Sequence, residues 1–221
     1  AFGDKLRDMF LKQTGMRCLA FGEVGFRHFT NSVRPIKSPS DLKGMKIRVM
    51  ETPVYVNMLR AAGANPTPIA WTETYTALQT HVVDGQENPI ASIIMAKLYE
   101  VQKYITLDGH SYGVDWFIIN EKFFQSLPPD LQYIVVDTAQ TCAAVGRGFI
   151  TLQNAQGLQT LIDAGMQVYS PTDAEMQQFK KVMQPAVIDW LKTKVDPALI
   201  NELLKAVDDA VVAQKAKEGL K

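Results

Sequence analysis

Arg48 is the residue whose setting first demands a chemical partner. It stands in Met45-Lys46-Ile47-Arg48-Val49-Met50, an otherwise apolar stretch that reads as a strand. A guanidinium between Ile and Val must point outward or meet an anion, because burying it alone is strongly destabilising. Its planar fork matches a carboxylate through two parallel hydrogen bonds, which lysine does not reproduce. From the residues alone, the partner is either an internal acid or a bound ligand. Arg60 falls on the solvated side of a helix that begins near Thr52.

Other candidate chemistry is thinner. His28, His81 and His110 lie far apart, without metal-ligand spacing. Glu73 and Glu87 are a conceivable acid–base pair, but among 23 acidic residues a chance pair is the stronger reading. A glycine-rich phosphate loop, a nucleophile elbow and His-Glu-x-x-His are all missing from the sequence, so no catalytic group, cofactor or metal is expected. Cys18 and Cys142 each sit on an apolar stripe and read as small hydrophobes. A bridge between them is the alternative in an oxidising compartment.

Short strands alternating with helices must position these residues, which makes the chain α/β. Strand-like stretches fall at 18–21, 26–31, 46–50, 65–69, 104–107, 117–119 and 166–169. Thr52-Pro53 opens a helix in cap-then-proline order and Gly63 ends it. Thr72 caps another helix, Asp84-Gly85 reads as a turn, and a further helix is expected over 90–99. Leu131, Val135, Thr138, Cys142, Val145, Phe149 and Leu152 recur at steps of four and three. This predicts one helix of more than ~30 residues, about 45 Å long, ending at Gly165. Such a length suits the bracing of two lobes. A final amphipathic helix runs through Leu199, Leu203, Val207 and Val211, and 215–221 reads as a charged, fraying tail.

The 221 residues carry 23 basic and 23 acidic side chains and are 47% hydrophobic. That apolar content excludes a disordered chain, and the neutral balance argues against a nucleic-acid partner. No apolar run approaches the ~20 residues of a membrane span. The opening AFGDKLRDMF lacks the charged-then-apolar series of a signal peptide.

The blocks GFRHFTN, PIKSPSDLKGMKIRV, GANPTPIAWTETYTALQTHVVDGQENP and KLYEVQKYITLDGH together resemble the dicarboxylate-binding type of substrate-binding protein from tripartite ATP-independent periplasmic (TRAP) transporters. The resemblance implies a two-lobe, periplasmic-binding-protein-like α/β fold with a long bracing helix, closing on an organic acid. It also implies that the N-terminal lobe is incomplete. Residues 1–24 and 114–153 would be what remains of it, 25–113 and 154–207 the C-terminal lobe with the ligand clamp, and 208–221 the end of the last helix and the tail.

Residue by residue, the resemblance makes Arg48 the principal carboxylate clamp and Arg27 a second, assisting arginine. Asn88 would donate to the same carboxylate, and Trp71 would wall the ligand. Glu51 would sit near the ligand's hydroxyls, with His110 and Asp115 in a polar, water-linked network beside the site. Plainer readings stand next to these. Trp71 fits a core position, Glu51 a favourable charge at a helix N-terminus, and His110 a hydrogen-bonded structural role. The function implied is a non-enzymatic, monomeric periplasmic binder, its signal peptide removed, that delivers a small organic acid to the membrane subunits of a TRAP transporter. An enzyme on a related two-lobe fold and a ligand-sensing domain are the alternatives. Glu51 beside the clamp disfavours a second ligand carboxylate, which points to a hydroxylated monoacid such as a sugar acid over a simple dicarboxylate.

Overall fold

The computed structural model of the chain describes residues 2–217. Ala1 and residues 218–221, the outer part of the expected tail, lie outside the described residues. Two sheets organise the rest. In the smaller, β1 (Met16–Phe21) pairs antiparallel with β7 (Trp116–Asn120). The larger contains β2 (Gly25–Asn31), β3 (Lys46–Val49), β4 (Asn65–Pro68), β5 (Gly85–Asn88), β6 (Tyr104–Gly113) and β8 (Gln167–Tyr169), in the spatial order β4-β3-β5-β2-β6-β8. It is mixed: β3 lies parallel to both β4 and β5, whereas β2 is antiparallel to both β5 and β6.

Alternation along β3 sends Ile47 and Val49 to one face of the large sheet and Arg48 to the other. On the Ile47 face, α2 (Pro53–Ala61) begins with the expected Thr52 cap and first-turn proline. It packs Met58 and Leu59 against the sheet, and α7 (Asp173–Lys192) adds Phe179 and Met183. The opposite face is covered by Leu78 of α3 (Thr74–Gln79), by Ile90 and Ile93 of α4 (Ile90–Met95), and by Leu161 of the long α6 (Pro129–Asp163). The helix expected over 90–99 is divided, because Lys97 adopts the left-handed conformation and a 3₁₀ turn follows. α1 (Phe2–Thr14), α5 (Glu121–Ser126) and α8 (Pro197–Lys217) complete the described chain. No helix among the described residues is long and apolar enough to cross a membrane.

Two expectations need correction. β5, with the sequence Gly-Gln-Glu-Asn, occupies a central position and is buried throughout, where the sequence suggested only a turn. Gly85 makes this possible, since a Cβ there would lie 2.2 Å from the Thr30 carbonyl oxygen of β2. The long helix has its expected length, and its expected face holds at the C-terminal end, where Leu158 and Leu161 pack into the core, but not in the middle. It packs through Ala139 and Ala143 against Ala20, and through Gly157 against Ile90 and Ile94, while Val145, Phe149 and Leu152 are exposed. The helix meets β1 along one stretch and α4 along another. Close approach at each meeting point favours small residues over a continuous large-residue stripe. Cys18 is buried and Cys142 exposed, and both are free.

The two close approaches differ in what must give way. Gly85→Ala pushes against backbone and is expected to lower the unfolding free energy by about 3 kcal/mol. Gly157→Ala meets side chains only, the Ile94 methyl end at 2.6 Å and Ile90 Cγ2 at 2.7 Å, and should cost less, about 1 to 2 kcal/mol. Urea unfolding of both variants checks this; equal stabilities would contradict the packing.

Candidate functional site

The parallel strands β3 and β5 finish at one edge of the large sheet, and the antiparallel β2 begins there. Ligand crevices in open α/β sheets form beyond such strand ends. Register then sorts the candidate side chains by face. Arg48 pairs with Gln86, Gln86 with Thr30 and Asn88 with His28, so these five share one face; Glu87, opposite Phe29, turns to the other.

On the Glu87 face lies a closed group of four charges. Arg27 donates through Nε to Glu87 Oε2 at 2.5 Å and through Nη2 to Oε1 at 2.9 Å, and Nη2 also reaches the Glu87 backbone carbonyl at 2.7 Å. His110 stacks on Phe29, with ring centroids 4.2 Å apart. Its Nδ1 is 2.7 Å from Asp108 Oδ2 and its Nε2 is 3.3 Å from Glu87 Oε2. Ionised carboxylates only accept, so both ring nitrogens carry protons and the ring is an imidazolium. Burial alone pushes His110 down, but the charges of Asp108 and Glu87 outweigh it and raise its pKa to about 9. Burial likewise acts to raise Glu87, yet hydrogen bonds from His110 and Arg27 hold it below the usual carboxylate range. Two cations and two anions thus balance. A bulge in the β2–β6 pairing between Arg27 and Phe29 lets Asp108 and His110 reach this group. It also aims the Gly109 N–H at His28 Nδ1, 3.1 Å away, so His28 accepts there and is neutral. Burial lowers the His28 pKa to about 4.

Arg48, on the opposite face, is only 2% exposed and has no such counter-charge. Its Nε donates to the Ile69 carbonyl at 2.9 Å, and its guanidinium carbon lies 5.7 Å from the Trp71 ring centroid. Among the described residues, its two terminal nitrogens have no acceptor and it forms no ion pair. Burial depresses its pKa, an effect opposed by Glu87 and Glu51 and reinforced by Arg27. The best-enclosed cavity, about 380 Å³, is elsewhere: it lies between α2, α7 and β6, lined by Tyr55, Met58, His110 and Met183 among others. The one charged residue there without an ion pair among the described residues, Lys180, is solvent-exposed, so the chemistry selects the buried Arg48 even though the enclosed volume does not.

The expected residues therefore divide. Arg48 and Trp71 lie together, Asn88 is on the same sheet face, and Glu51 is exposed just beyond β3, close enough to influence Arg48. Arg27, expected as an assisting clamp, is held by Glu87 through Nε and Nη2, which leaves Nη1 without an acceptor among the described residues. His110 lies between two acids, Asp108 and Glu87. Asp115 is exposed between β6 and β7, and joins neither group; its backbone carbonyl accepts from Gly22. Sequence reasoning missed Asp108, which reaches His110 through the bulged stretch of β6, where Gly109 takes a positive φ. It also missed Glu87 as the partner of Arg27, because the polar β5 was not recognised as a strand.

The two histidines give stability opposite pH slopes. His28 is depressed, so stability rises with pH between about 4 and 6.5, where only the unfolded chain holds that proton. His110 is raised, so its contribution is complete below about 6.5 and is lost as pH climbs through about 9. Urea unfolding across pH should show a maximum near neutrality, and His110→Gln should flatten the alkaline limb. A wild-type profile that is level from pH 6.5 to 9 would contradict a protonated His110.

With this geometry in view, similarity to known proteins becomes informative. A 2,3-diketo-L-gulonate-binding periplasmic protein of Escherichia coli is 35% identical over 187 residues, covering 85% of this chain and 56% of that protein. A TRAP periplasmic solute-binding protein from Ralstonia eutropha, solved with (S)-2-acetolactate, superimposes with a TM-score of 0.86 at 32% identity, covering 94% of this chain and 67% of that one. One from Sulfitobacter, solved with β-D-galacturonate, gives 0.84 at 31% identity, covering 91% and 65%. The chain spans about half the length of the curated relatives it matches. Residues 1–193 match a single family description, and the chain belongs to the bacterial extracellular solute-binding proteins, family 7.

Proposed function

We propose that this chain carries the carboxylate-gripping part of a periplasmic binder of small organic acids, which hands its ligand to the membrane subunits of a TRAP transporter. The observation that supports this most strongly is Arg48, a residue only 2% exposed whose terminal nitrogens lack an acceptor among the described residues and keep what little accessible surface remains. A ligand carboxylate would complete it through two charge-assisted hydrogen bonds. Asn88 adds an amide on the same face and Trp71 an apolar wall, the usual mix of a small-molecule site. The acids named for the relatives, diketogulonate, acetolactate and galacturonate, differ in skeleton but share one carboxylate.

The residues favour a hydroxylated monoacid. Glu51 influences Arg48 electrostatically and is exposed, so it would repel a second carboxylate and accept from hydroxyls. The neutral, internally paired Arg27–Glu87–His110–Asp108 group offers no free charge for general acid–base work, which weighs against an enzyme. The division of the chain into 1–24 with 114–153 and 25–113 with 154–207 stays part of this reading, with Arg48 in the second unit.

Thermal shift with D-galacturonate, L-galactonate and succinate tests the clamp. The sugar acids should raise the melting temperature of the chain more than succinate does. Arg48→Met, which keeps the bulk and removes the charge, should weaken binding by about a hundredfold or more. A stabilisation that survives in Arg48→Met would overturn the assignment.

A further inference from the structure

The geometry points to Gln102, Thr30 and Gln86 as positioning residues that set which way round the Asn88 amide is held; the functional weight of this rests on the reading of Asn88 as a ligand contact. The four side chains form one buried hydrogen-bonded chain. Gln102 and Asn88 are each 5% exposed, and Thr30 and Gln86 are fully buried. Gln102 Nε2 lies 3.0 Å from the Val101 carbonyl and 3.4 Å from that of Asp84. Thr30 Oγ1 is 2.8 Å from Gln102 Oε1, Gln86 Nε2 is 2.8 Å from Thr30 Oγ1, and Asn88 Nδ2 is 2.5 Å from Gln86 Oε1.

The direction of every link follows from the first. Backbone carbonyls only accept, so the Gln102 nitrogen must face them and its oxygen must face Thr30. Thr30 then spends its single hydroxyl proton on Gln102 and can only accept from Gln86. Gln86 accordingly turns its nitrogen to Thr30 and its oxygen to Asn88. Asn88 is left one choice, which is to donate. An isolated asparagine would turn its oxygen or its nitrogen to a ligand with little preference. Here the carbonyls of Val101 and Asp84 exclude one of the two, three side chains away. Gln86 is also the register partner of Arg48, so the donor end of Asn88 is drawn toward the strand position beside the guanidinium. Asn88 Nδ2 keeps a second hydrogen, so an acid oxygen between the two residues would meet donors from both. The relay thus keeps a donor on the Arg48 side of the amide, and the fixed amide loses no orientational freedom when the anion arrives.

Thr30→Val keeps the shape and removes the link, while Thr30→Ser retains the hydroxyl. In ¹⁵N-labelled chain, the Asn88 side-chain NH₂ resonances should move in Thr30→Val and stay near wild type in Thr30→Ser. Gln102→Leu, which removes the anchoring end, should move them as Thr30→Val does, and it serves if the valine variant does not fold. Asn88 resonances unchanged in a folded Thr30→Val or Gln102→Leu chain would overturn the proposal. Calorimetry with D-galacturonate supplies the functional readout. Thr30→Val should weaken binding about tenfold, the worth of one neutral hydrogen bond, and should add nothing in an Asn88→Ala background. An equal loss in the Asn88→Ala background would also overturn it. If the resonances move as expected but wild type binds none of D-galacturonate, L-galactonate and succinate, the relay stands and the ligand reading of Asn88 fails instead.

Discussion

One guanidinium left without a counter-charge is the constraint from which the reading of this protein follows. Taking most of Arg48 out of water is unfavourable, and a single backbone carbonyl and an indole ring 5.7 Å away do not restore what hydration supplied. Folding must therefore hold it in place by other means. Those means are on the opposite face of the same sheet, where Ile47 and Val49 anchor β3 in the core beneath α2 and α7. Alternation along four residues thus couples an apolar anchor to a buried electrostatic demand, and removing the apolar side chains would release the arginine to solvent.

The contrast with Arg27 sharpens the argument. Both arginines are buried near the same end of the sheet, yet one is bound by a carboxylate through two nitrogens and the other meets none. Arg27, Glu87, His110 and Asp108 sum to zero charge and tie β2, β5 and β6 together. That group is balanced in charge, whereas Arg48 is not. A binding protein benefits from keeping these apart, since a neutralised group next to the site holds its geometry whether or not an anion is present. Glu87 still acts on Arg48 through space, which tempers the cost of the unpaired charge without occupying its nitrogens.

How much of this was legible in the sequence depended on whether a position was governed by local or by tertiary physics. Thr52-Pro53 announced α2, and glycine after a long periodic run announced the end of α6, because caps and breakers act within a few residues. Arg48 stood out because an ion among aliphatic residues violates local consistency, and such violations gather at functional sites. β5 was hidden for the opposite reason. Gln86, Glu87 and Asn88 have no strand propensity and no apolar alternation; they are a strand because β2 and β3 supply partners from either side. Missing β5 concealed both the partner of Arg27 and the relay behind Asn88. The middle of α6 was misread because alanine and glycine at close contacts leave no hydrophobic pattern, whereas Leu158 and Leu161 at its end pack as their spacing implied.

The most direct measurement is a calorimetric comparison of D-galacturonate with its uncharged methyl ester, with the Arg48 guanidinium followed in parallel by ¹⁵N-resolved NMR. If an unneutralised arginine recognises the anion, only the free acid binds, and the Arg48 Nη protons become slowly exchanging as it does. An ester that binds as well as the acid, or an acid that binds while the Arg48 signals stay where they were, would contradict the account.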